Sequence, residues 1–434
     1  MLRACLNILT SLRLTVACLI LAIILVFLGT LAEVWMGLYQ AQAEIFRSFF
    51  VHWTPAGTHL RIPVFPGGWL IGLTLLVNLV AAHIKRFRFE RKKTGILLIH
   101  AGLILLLLGQ FLTEVYQVES QMLLDVGGSK NYTEDSRRHE LAVLDVTDPG
   151  RDNVTTIPES LLVPGTEIRA SGLPFTLRVK TYFKNSEPAI PMDPSEKIKA
   201  SRGIGQTLLL ASAPEVKTMD DEDKPAALVE VVSNNASLGD WTESLWFTKR
   251  QPVMLLQDWI AGVEQQAGVK MGVSPEDPQS FTVAGRTYQM ALRMKRYYKP
   301  YTIALLEFKH DLYQGTDIPK NFSSRIHLSD PARGEDRDVL IHMNAPLRYR
   351  GETFYQASFL SGDQASILQV VRNPAAVTPY LACSLVALGL VVQFLTHLFG
   401  FAKKQAQKAA QEIPRRPPAA AVLQPAVAGK RSRV

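Results

Sequence analysis

The chain has 434 residues, of which 47% are hydrophobic and 20% charged, and its formal net charge at pH 7 is +8. This composition is too apolar for a disordered chain and too polar for a transporter built mostly of membrane spans. There are three cysteines, and none lies in a CxxC or CxxCH pattern. Their number and spacing exclude a disulfide framework, a thiolate metal site and covalently attached c-type haem.

Four apolar stretches predict membrane-spanning helices, at residues 14–32, 69–84, 94–113 and 377–401. A helix needs roughly 20 apolar residues to cross about 30 Å of hydrocarbon, so the second stretch is short by itself. A tight helical hairpin with the third stretch explains both. A cleaved signal peptide is the alternative for the first stretch, but its apolar run exceeds the usual length of about 7–15 residues.

The basic residues are concentrated beside these stretches. Residues 1–13, 85–93 and 402–434 carry net charges of +2, +5 and +7, which leaves −6 for the rest of the chain. Lys and Arg collect on the cytoplasmic side of membrane proteins. We therefore expect these three segments, with both termini, in the cytoplasm, and the loop 33–68 and the segment 114–376 outside. Topology thus accounts for the basic charge, and no nucleic-acid partner is expected.

The residue pattern of the long external segment, 114–376, predicts a β-rich domain that is large enough to bury its own core. The predicted fold is therefore an integral membrane protein with four transmembrane α-helices and a large β-rich extracytoplasmic domain, sandwich-like in arrangement. A helix is predicted at 253–266, and the tail 402–434 is predicted to be disordered because it is rich in Ala, Pro, Lys and Arg. The predicted strands are 141–146, 206–211, 227–232, 281–283 and 301–308.

His100 is the main candidate for chemistry. It lies six residues into the third span, about 9 Å from the cytoplasmic end. An ionisable side chain among aliphatic residues at that depth indicates a functional site. The alternative is a neutral histidine that hydrogen-bonds to a neighbouring helix.

The glycines of the same span indicate where His100 points. Gly95, Gly102 and Gly109 recur every seven residues and predict a face on which another helix packs closely. His100 is about 200° around the helix from Gly102, so we expect it to point away from that face, towards lipid, a partner protein or a bound cofactor. Imidazole is a good iron ligand, which favours a planar apolar cofactor with a metal centre.

The other histidines are weaker candidates. His397 lies near the cytoplasmic end of the fourth span and is the second candidate ligand, with a snorkelling interfacial histidine as the alternative. His83 is interpreted as interfacial, and His52 and His59 as ligands or members of an aromatic belt. No zinc pattern, GxSxG motif, P-loop or Rossmann fingerprint is present, so no autonomous catalytic site is expected. The remaining histidines are His139, His310, His327 and His342.

Three passages resemble the ResB (CcsB) family of System II cytochrome c biogenesis proteins. Residues 11–15 lead into the first span, which ends at Gly29-Thr30, and residues 99–103 open the third span with a histidine and a small-residue pattern. Residues 343–358, MNAPLRYRGETFYQAS, resemble the family's Asn-x-Pro-Leu…Gly…Phe-Tyr-Gln segment before the last span. The chain departs from the family at Leu31-Ala-Glu33, where many relatives have Pro-Gln.

The resemblance implies a non-catalytic subunit of a haem–apocytochrome c ligase in the bacterial inner membrane. Such a subunit moves haem, a transient b-type cargo, across the membrane to apocytochrome c, together with a tryptophan-rich CcsA (ResC) partner. The family's histidine in the third span maps onto His100 as a haem axial ligand. Two alternatives remain: a non-haem scaffold whose external domain binds an assembly client or apocytochrome, and a four-span sensor, for which the cytoplasmic segments are short.

Overall fold

The structure, a computed structural model, describes most of the chain. The described residues are 7–55, 60–86, 93–189, 197–206, 208–216, 222–247, 261–262, 265, 279–312, 314–315, 319–359 and 365–412. His59 and nearly all of the helix predicted at 253–266 lie outside them.

Four helices are long and apolar enough to cross a membrane, which confirms the predicted α-helical membrane part. They extend past most of the predicted bounds, because a helix continues through polar residues such as Glu114 when these find partners. Arg47 holds Glu114 at 2.5 Å. The helices are α1 (Leu12–Met36), α2 (Gly68–Arg86), α3 (Thr94–Tyr116) and α4 (Thr378–Glu412).

The tail prediction was wrong for its first part. Residues 402–412 continue α4 as a helix to Glu412. This stretch is rich in Ala, Lys and Gln, all strong helix formers, and Pro414 is the first residue that breaks the pattern. Residues 413–434 lie outside the described part of the chain.

The described strands form antiparallel sheets between the helices. Their bounds are β1 (Phe50–Trp53), β2 (Ile62–Pro66), β3 (Val118–Asp125), β4 (Ser129–Asp148), β5 (Arg151–Pro158), β6 (Glu167–Ile168), β7 (Thr176–Phe183), β8 (Ser186–Ala189), β9 (Lys197–Ile198), β10 (Leu209–Ser212), β11 (Ala226–Ser233), β12 (Ala236–Ser244), β13 (Ser280–Val283), β14 (Arg286–Leu312), β15 (Pro319–Asp330), β16 (Glu335–His342), β17 (Leu347–Tyr349), β18 (Glu352–Phe359) and β19 (Ala365–Arg372).

One sheet dominates the β-rich domain. Its order is β16-β15-β14-β4-β3-β19-β18-β17, with β13 paired to β14 and β5 to β4. A second sheet has the order β12-β11-β7-β6, and two small sheets are β8-β10-β9 and β1-β2. Short helices join them: Leu38–Ala41 running into a π-helical turn at Gln42–Phe46, and 3₁₀ turns at Glu159–Leu161, Ile204–Gln206 and Leu245–Phe247.

The domain has two main hydrophobic cores. In the first, Leu177 and Val229 of the four-stranded sheet pack with Leu141 and Leu292 of the large sheet. In the second, Ile303 and Leu328 pack with Leu368 inside the curve of the large sheet. Strand β14 contributes side chains to both cores, because register shifts at Met294/Arg296 and Tyr298/Ile303 bend the strand between the two cores. The predicted β-rich, sandwich-like domain is confirmed.

The strand predictions hold at four places of five. Residues 206–211 are the exception, since Gln206 ends a 3₁₀ turn and β10 begins at Leu209. Gly203, at φ +66°, and Gly205, packed closely against Thr242, turn the chain before the strand starts. An alternating hydrophobic pattern does not reveal such a turn.

Contacts divide the chain into two units. The first contains Leu76–Gln110 with the residues up to Leu14 and from Val377 onwards, and the second contains Thr15–Leu75 and Phe111–Ala376. The first unit holds His83, His100 and His397, and the second holds the β-rich domain.

Candidate functional site: a histidine pair in the helical hairpin

His100 is half-buried on α3 and has a defined ring orientation. Its Nδ1 lies 2.8 Å from the carbonyl oxygen of Ile96, one turn earlier on the same helix. Because a carbonyl oxygen only accepts, Nδ1 must carry the proton and donate it. The lone pair of the neutral ring is then on Nε2, which is the tautomer that a metal-ligating imidazole of this orientation needs.

His83 of α2 is the residue that faces His100. The two ring centroids are 6.1 Å apart, and the ring planes differ by 28°. His83 lies three residues before the end of α2 and His100 six residues after the start of α3. At 1.5 Å per residue these positions are about 4.5 and 9 Å from the same end of the hairpin. The antiparallel hairpin thus brings two imidazoles together at similar depth.

The other side of α3 packs against α4, as the glycine spacing predicts. Gly95, Gly102 and Gly109 are all buried. A Cβ atom at Gly102 would lie 2.6 Å from Val386 Cγ2, and one at Gly95 would lie 2.7 Å from Gln393. The prediction of a close-packing face is confirmed, and α4 occupies it. His100 therefore points away from α4, and the structure brings it to α2.

His397 makes a different contact. Its Nε2 lies 2.7 Å from Nε2 of Gln393, so the Gln393 amide donates to the imidazole one turn away on α4. Gln393 itself is packed against Gly95. Of the contacts described for these residues, none joins His397 to His100. His397 as second ligand therefore remains a prediction, and His83 is the nearer imidazole in this unit.

Apolar side chains surround the pair on the His100 face of α3. Ile96 and Leu103, one turn before and after His100, are 42% and 39% exposed. A planar apolar group bound at His100 would cover them. On this face, α3 therefore presents an imidazole flanked by branched aliphatic side chains.

Polar contacts fix the beginning of the chain against the same hairpin. Asn78 of α2 is buried, and its amide donates to the carbonyl oxygens of Leu9 at 2.7 Å and Ser11 at 3.2 Å. Lys85 donates to Asn7 Oδ1 at 2.8 Å. These bonds satisfy carbonyl groups at the start of α1 and explain the one amide that interrupts the second apolar stretch.

The histidines of the β-rich domain have local partners. His139 is buried against Glu159, and His327 lies between Asp336 and Asp338 at 2.8 Å from each. The hydrogen bonds that its ring donates to Asp338 and Asp336 raise the pKa of His327 above its ordinary value. The ring of His310 packs against that of Phe359 at 4.6 Å between centroids, and exposed His52 lies on β1. No group of three or more His, Cys, Asp or Glu that could hold a metal ion occurs in the described part of the chain.

Sequence reasoning missed the position of His83 beside His100, because it treated His83 as an interfacial residue. The available signal was its depth, since residues at similar distances from the turn of a short antiparallel hairpin lie side by side. Which face of α2 turns towards α3 depends on how the two helices pack, and periodicity in the second stretch is too weak to indicate it.

The passage at 343–358 forms the hairpin of β17 and β18. Asn344 and Arg350 have φ angles of +65° and +47°, and Gly351 follows at +78°. Two consecutive residues with positive φ form the tight turn that joins twisted antiparallel strands. The tight turn therefore depends on Arg350-Gly351, which lies inside the passage.

Comparison with known proteins gives two matches. Residues 260–366 match the model of the ResB-like family. A stretch of 96 residues is 30% identical to Protein NrfI of Wolinella succinogenes, covering 22% of this chain and 11% of NrfI. The resemblance to the ResB-like family is thereby confirmed over a range that includes the β17–β18 hairpin.

Proposed function

We propose, on the premise of the ResB-like match, that this chain acts in cytochrome c biogenesis as a membrane subunit that handles haem. It would receive haem in the membrane and deliver it outward to apocytochrome c together with a CcsA (ResC)-type partner. The chain has six tryptophans, and they form no tryptophan-rich cluster in the sequence, which is why the partner is expected to supply the external haem-binding motif. The inner membrane is the expected location, with the β-rich domain in the periplasm.

The observation that carries the proposal is the histidine pair of the hairpin. A histidine in a membrane helix needs a functional or structural partner. The His100 ring is oriented by its bond to Ile96 and leaves Nε2 for a ligand, while His83 supplies a second imidazole 6.1 Å away. We assign His100 as the axial ligand of the haem cargo and His83, ahead of His397, as the second ligand from this chain.

Each of these residues has a separate task. The Nδ1–H group of His100 donates a hydrogen bond to the carbonyl oxygen of Ile96, which orients the ring and leaves Nε2 as the nitrogen that could bind a metal. His83 approaches from the other helix and would supply the second imidazole to the cargo. Ile96 and Leu103, which are 42% and 39% exposed, would pack against the cargo's apolar ring. Glycine packing of α3 on α4 fixes the helix that carries His100, so its ring keeps one direction.

Haem content and coordination test this assignment. The chain is purified with its partner as wild type, His100→Ala, His83→Ala and, as a matched intramembrane control, His397→Ala. We expect haem content to fall by about tenfold or more in His100→Ala, since the primary ligand is lost. His83→Ala should retain haem with a Soret band typical of five coordination, and His397→Ala should match wild type. Added imidazole should restore the wild-type spectrum to His100→Ala.

The outcomes separate the two assignments. Equal haem content in wild type and His100→Ala contradicts ligation by His100 and favours the non-haem scaffold. An unchanged spectrum in His83→Ala contradicts ligation by His83 and leaves the assignment of His100 unaffected. A change in His397→Ala, with His83→Ala unchanged, restores His397 as the second ligand.

A further inference from the structure

The β-rich domain contains a cavity of about 530 Å³ where its large sheet opens. On β14, Tyr298 pairs with Tyr132 of β4, and the next pair is Ile303 with Lys130. Residues 299–302 are therefore looped out of the ladder with β4, although Thr302 still pairs with Ser329 of β15. Strands β3 and β4 pair only at Gln121 and Glu134 in the described register. The cavity is lined by residues of β3, of the looped part of β14, of the β17–β18 hairpin and of β19, and its volume lies in the range of small-ligand sites.

Cations dominate the cavity wall. Arg296, Lys299, Arg350 and Arg372 line it, and Glu352 is the one carboxylate among the lining residues that the structure describes. Two of these charged groups are shielded from bulk water, since the side chains of Lys299 and Glu352 are 9% and 10% exposed. Charges held in such a place interact more strongly than on an open surface.

Ion pairs account for three of the four cations. Lys299 pairs with Glu352, Arg296 with Glu134 at 3.0 Å, and Arg350 with Asp330 at 2.6 Å. Arg372 is exposed and has no ion pair among the described contacts. The cavity therefore keeps an excess of one positive charge, and a ligand with a single negative charge would balance it.

Donor groups remain for such a ligand. Nε of Arg350 is buried and has no hydrogen-bond partner within the described part of the chain. A buried donor without an acceptor is costly, so this N–H is a group with which a ligand oxygen could pair. The tight β17–β18 turn, in which Arg350 has a φ of +47°, fixes the backbone that carries this side chain.

Part of the cavity wall lies close in the chain to the end of α3. Val118, two residues after the end of α3, pairs with Arg372 of β19, and both line the cavity. The adjacent Asn373 donates to Thr113 at 3.1 Å and Gln117 at 3.2 Å, which fastens the strand leading to α4 to the end of α3. Because Val118 follows the candidate span α3 by two residues, we expect this part of the cavity wall close to the membrane surface.

We infer that this cavity binds a phosphodiester at the membrane surface, carried by the headgroup of an acidic phospholipid. The single negative charge of the diester matches the single excess positive charge. Its oxygens can accept from Arg372 and from Nε of Arg350, and guanidinium groups are well suited to phosphate. Tyr298, which lines the cavity and is 53% exposed, can cover the glycerol part. This inference depends on the membrane spans and is independent of haem handling.

Lipid binding by the full-length protein tests the inference. The delipidated chain in neutral detergent is titrated with phosphatidylglycerol or phosphatidylcholine and followed by native mass spectrometry. We expect one phosphatidylglycerol to bind preferentially, with affinity about tenfold lower in Arg372→Gln, since one charge-assisted contact is lost. Arg348→Gln is the matched control, because Arg348 is exposed on the same hairpin and is absent from the cavity lining.

Further arms distinguish the sources of phosphate. Arg350→Gln should weaken binding too, and thermal unfolding shows whether that variant remains folded. Inorganic phosphate is titrated in parallel. If it binds with the same dependence on Arg372 while phosphatidylglycerol shows no preference, the phosphate site stands and the lipid source is wrong. If neither binds, or if Arg348→Gln has the same effect as Arg372→Gln, the inference fails.

Discussion

Glu159 illustrates at the residue scale how the β-rich domain keeps a carboxylate charged. The backbone N–H of His139 donates to Glu159 Oε2 at 3.2 Å, and Nδ1 of the His139 ring lies 3.3 Å from the same oxygen. The hydroxyl group of Tyr182 donates to Glu159 Oε1 at 2.7 Å. Burial by itself would raise the pKa of Glu159, but these hydrogen bonds outweigh it and lower the pKa to about 2. The same contact, together with burial, raises the pKa of Tyr182.

This environment predicts a pH dependence. A carboxylate with a depressed folded pKa stabilises the fold above its ordinary pKa of 4.5, and this contribution is lost as the pH falls towards 2. Glu159→Gln should therefore lower the free energy of unfolding by about 1–3 kcal/mol at neutral pH and flatten its dependence on pH in the acidic window. Urea unfolding, followed by fluorescence with buried Trp241 as the probe of the core, measures both effects.

Glu187→Gln provides the control for that experiment. Glu187 is exposed on β8 and has no ion pair among the contacts described for it. Its substitution should leave the acidic part of the stability curve as in wild type. Equal slopes for wild type and Glu159→Gln between pH 4.5 and 2 would contradict the assignment.

At the scale of elements, helix α3 has two faces that make different contacts. Its glycines allow α4 to approach closely, and Gly389 of α4 in turn lies against Ile99. The side opposite carries His100. Packing on one side therefore sets the direction of the ring on the other, which makes the glycine face a determinant of the candidate site.

Adding one methyl group tests this packing. A Cβ atom at Gly102 would lie 2.6 Å from Val386 Cγ2 and 2.8 Å from the Ala382 carbonyl oxygen. Gly102→Ala should therefore destabilise the helices by about 1–3 kcal/mol, as overpacking does elsewhere. Thermal unfolding in detergent measures the loss.

Gly72→Ala is the matched substitution in α2. A Cβ atom there would meet nothing within 4 Å, so only helix propensity changes, and we expect equal or higher stability. If both alanine variants unfold at the wild-type temperature, the close approach of α3 and α4 is not the source of their stability.

At the scale of the whole molecule, the distribution of charge predicts the orientation. The segments 1–13, 85–93 and 402–434 carry +2, +5 and +7, whereas the rest of the chain carries −6. We expect alkaline phosphatase fused within β5 to be active outside the cytoplasm, and a green fluorescent protein fused at the carboxyl terminus to fluoresce inside. The opposite pattern would place the β-rich domain in the cytoplasm and rule out delivery of cargo to the outer side.

Much of the architecture could be read from local patterns. Apolar length predicted the spans, and alternation predicted strands such as 227–232, because both signals depend on each segment's own contact with lipid or core. Boundaries were less accurate where a partner or a turn decided them, as with Glu114 at the end of α3 or Gly203 before β10. The family passage at 343–358 was recognisable because its turn requires particular residues.

His100 was identifiable from the sequence alone, since an imidazole among aliphatic residues of one span indicates a candidate site however the helices pack. Its glycine face was likewise fixed by spacing along one helix. The partner of His100 and the lining of the basic cavity were decided only by tertiary structure. Each joins residues from separate elements, His83 with His100 and Arg296 with Arg372, and such neighbours depend on how helices rotate and where a sheet opens, which no single segment encodes.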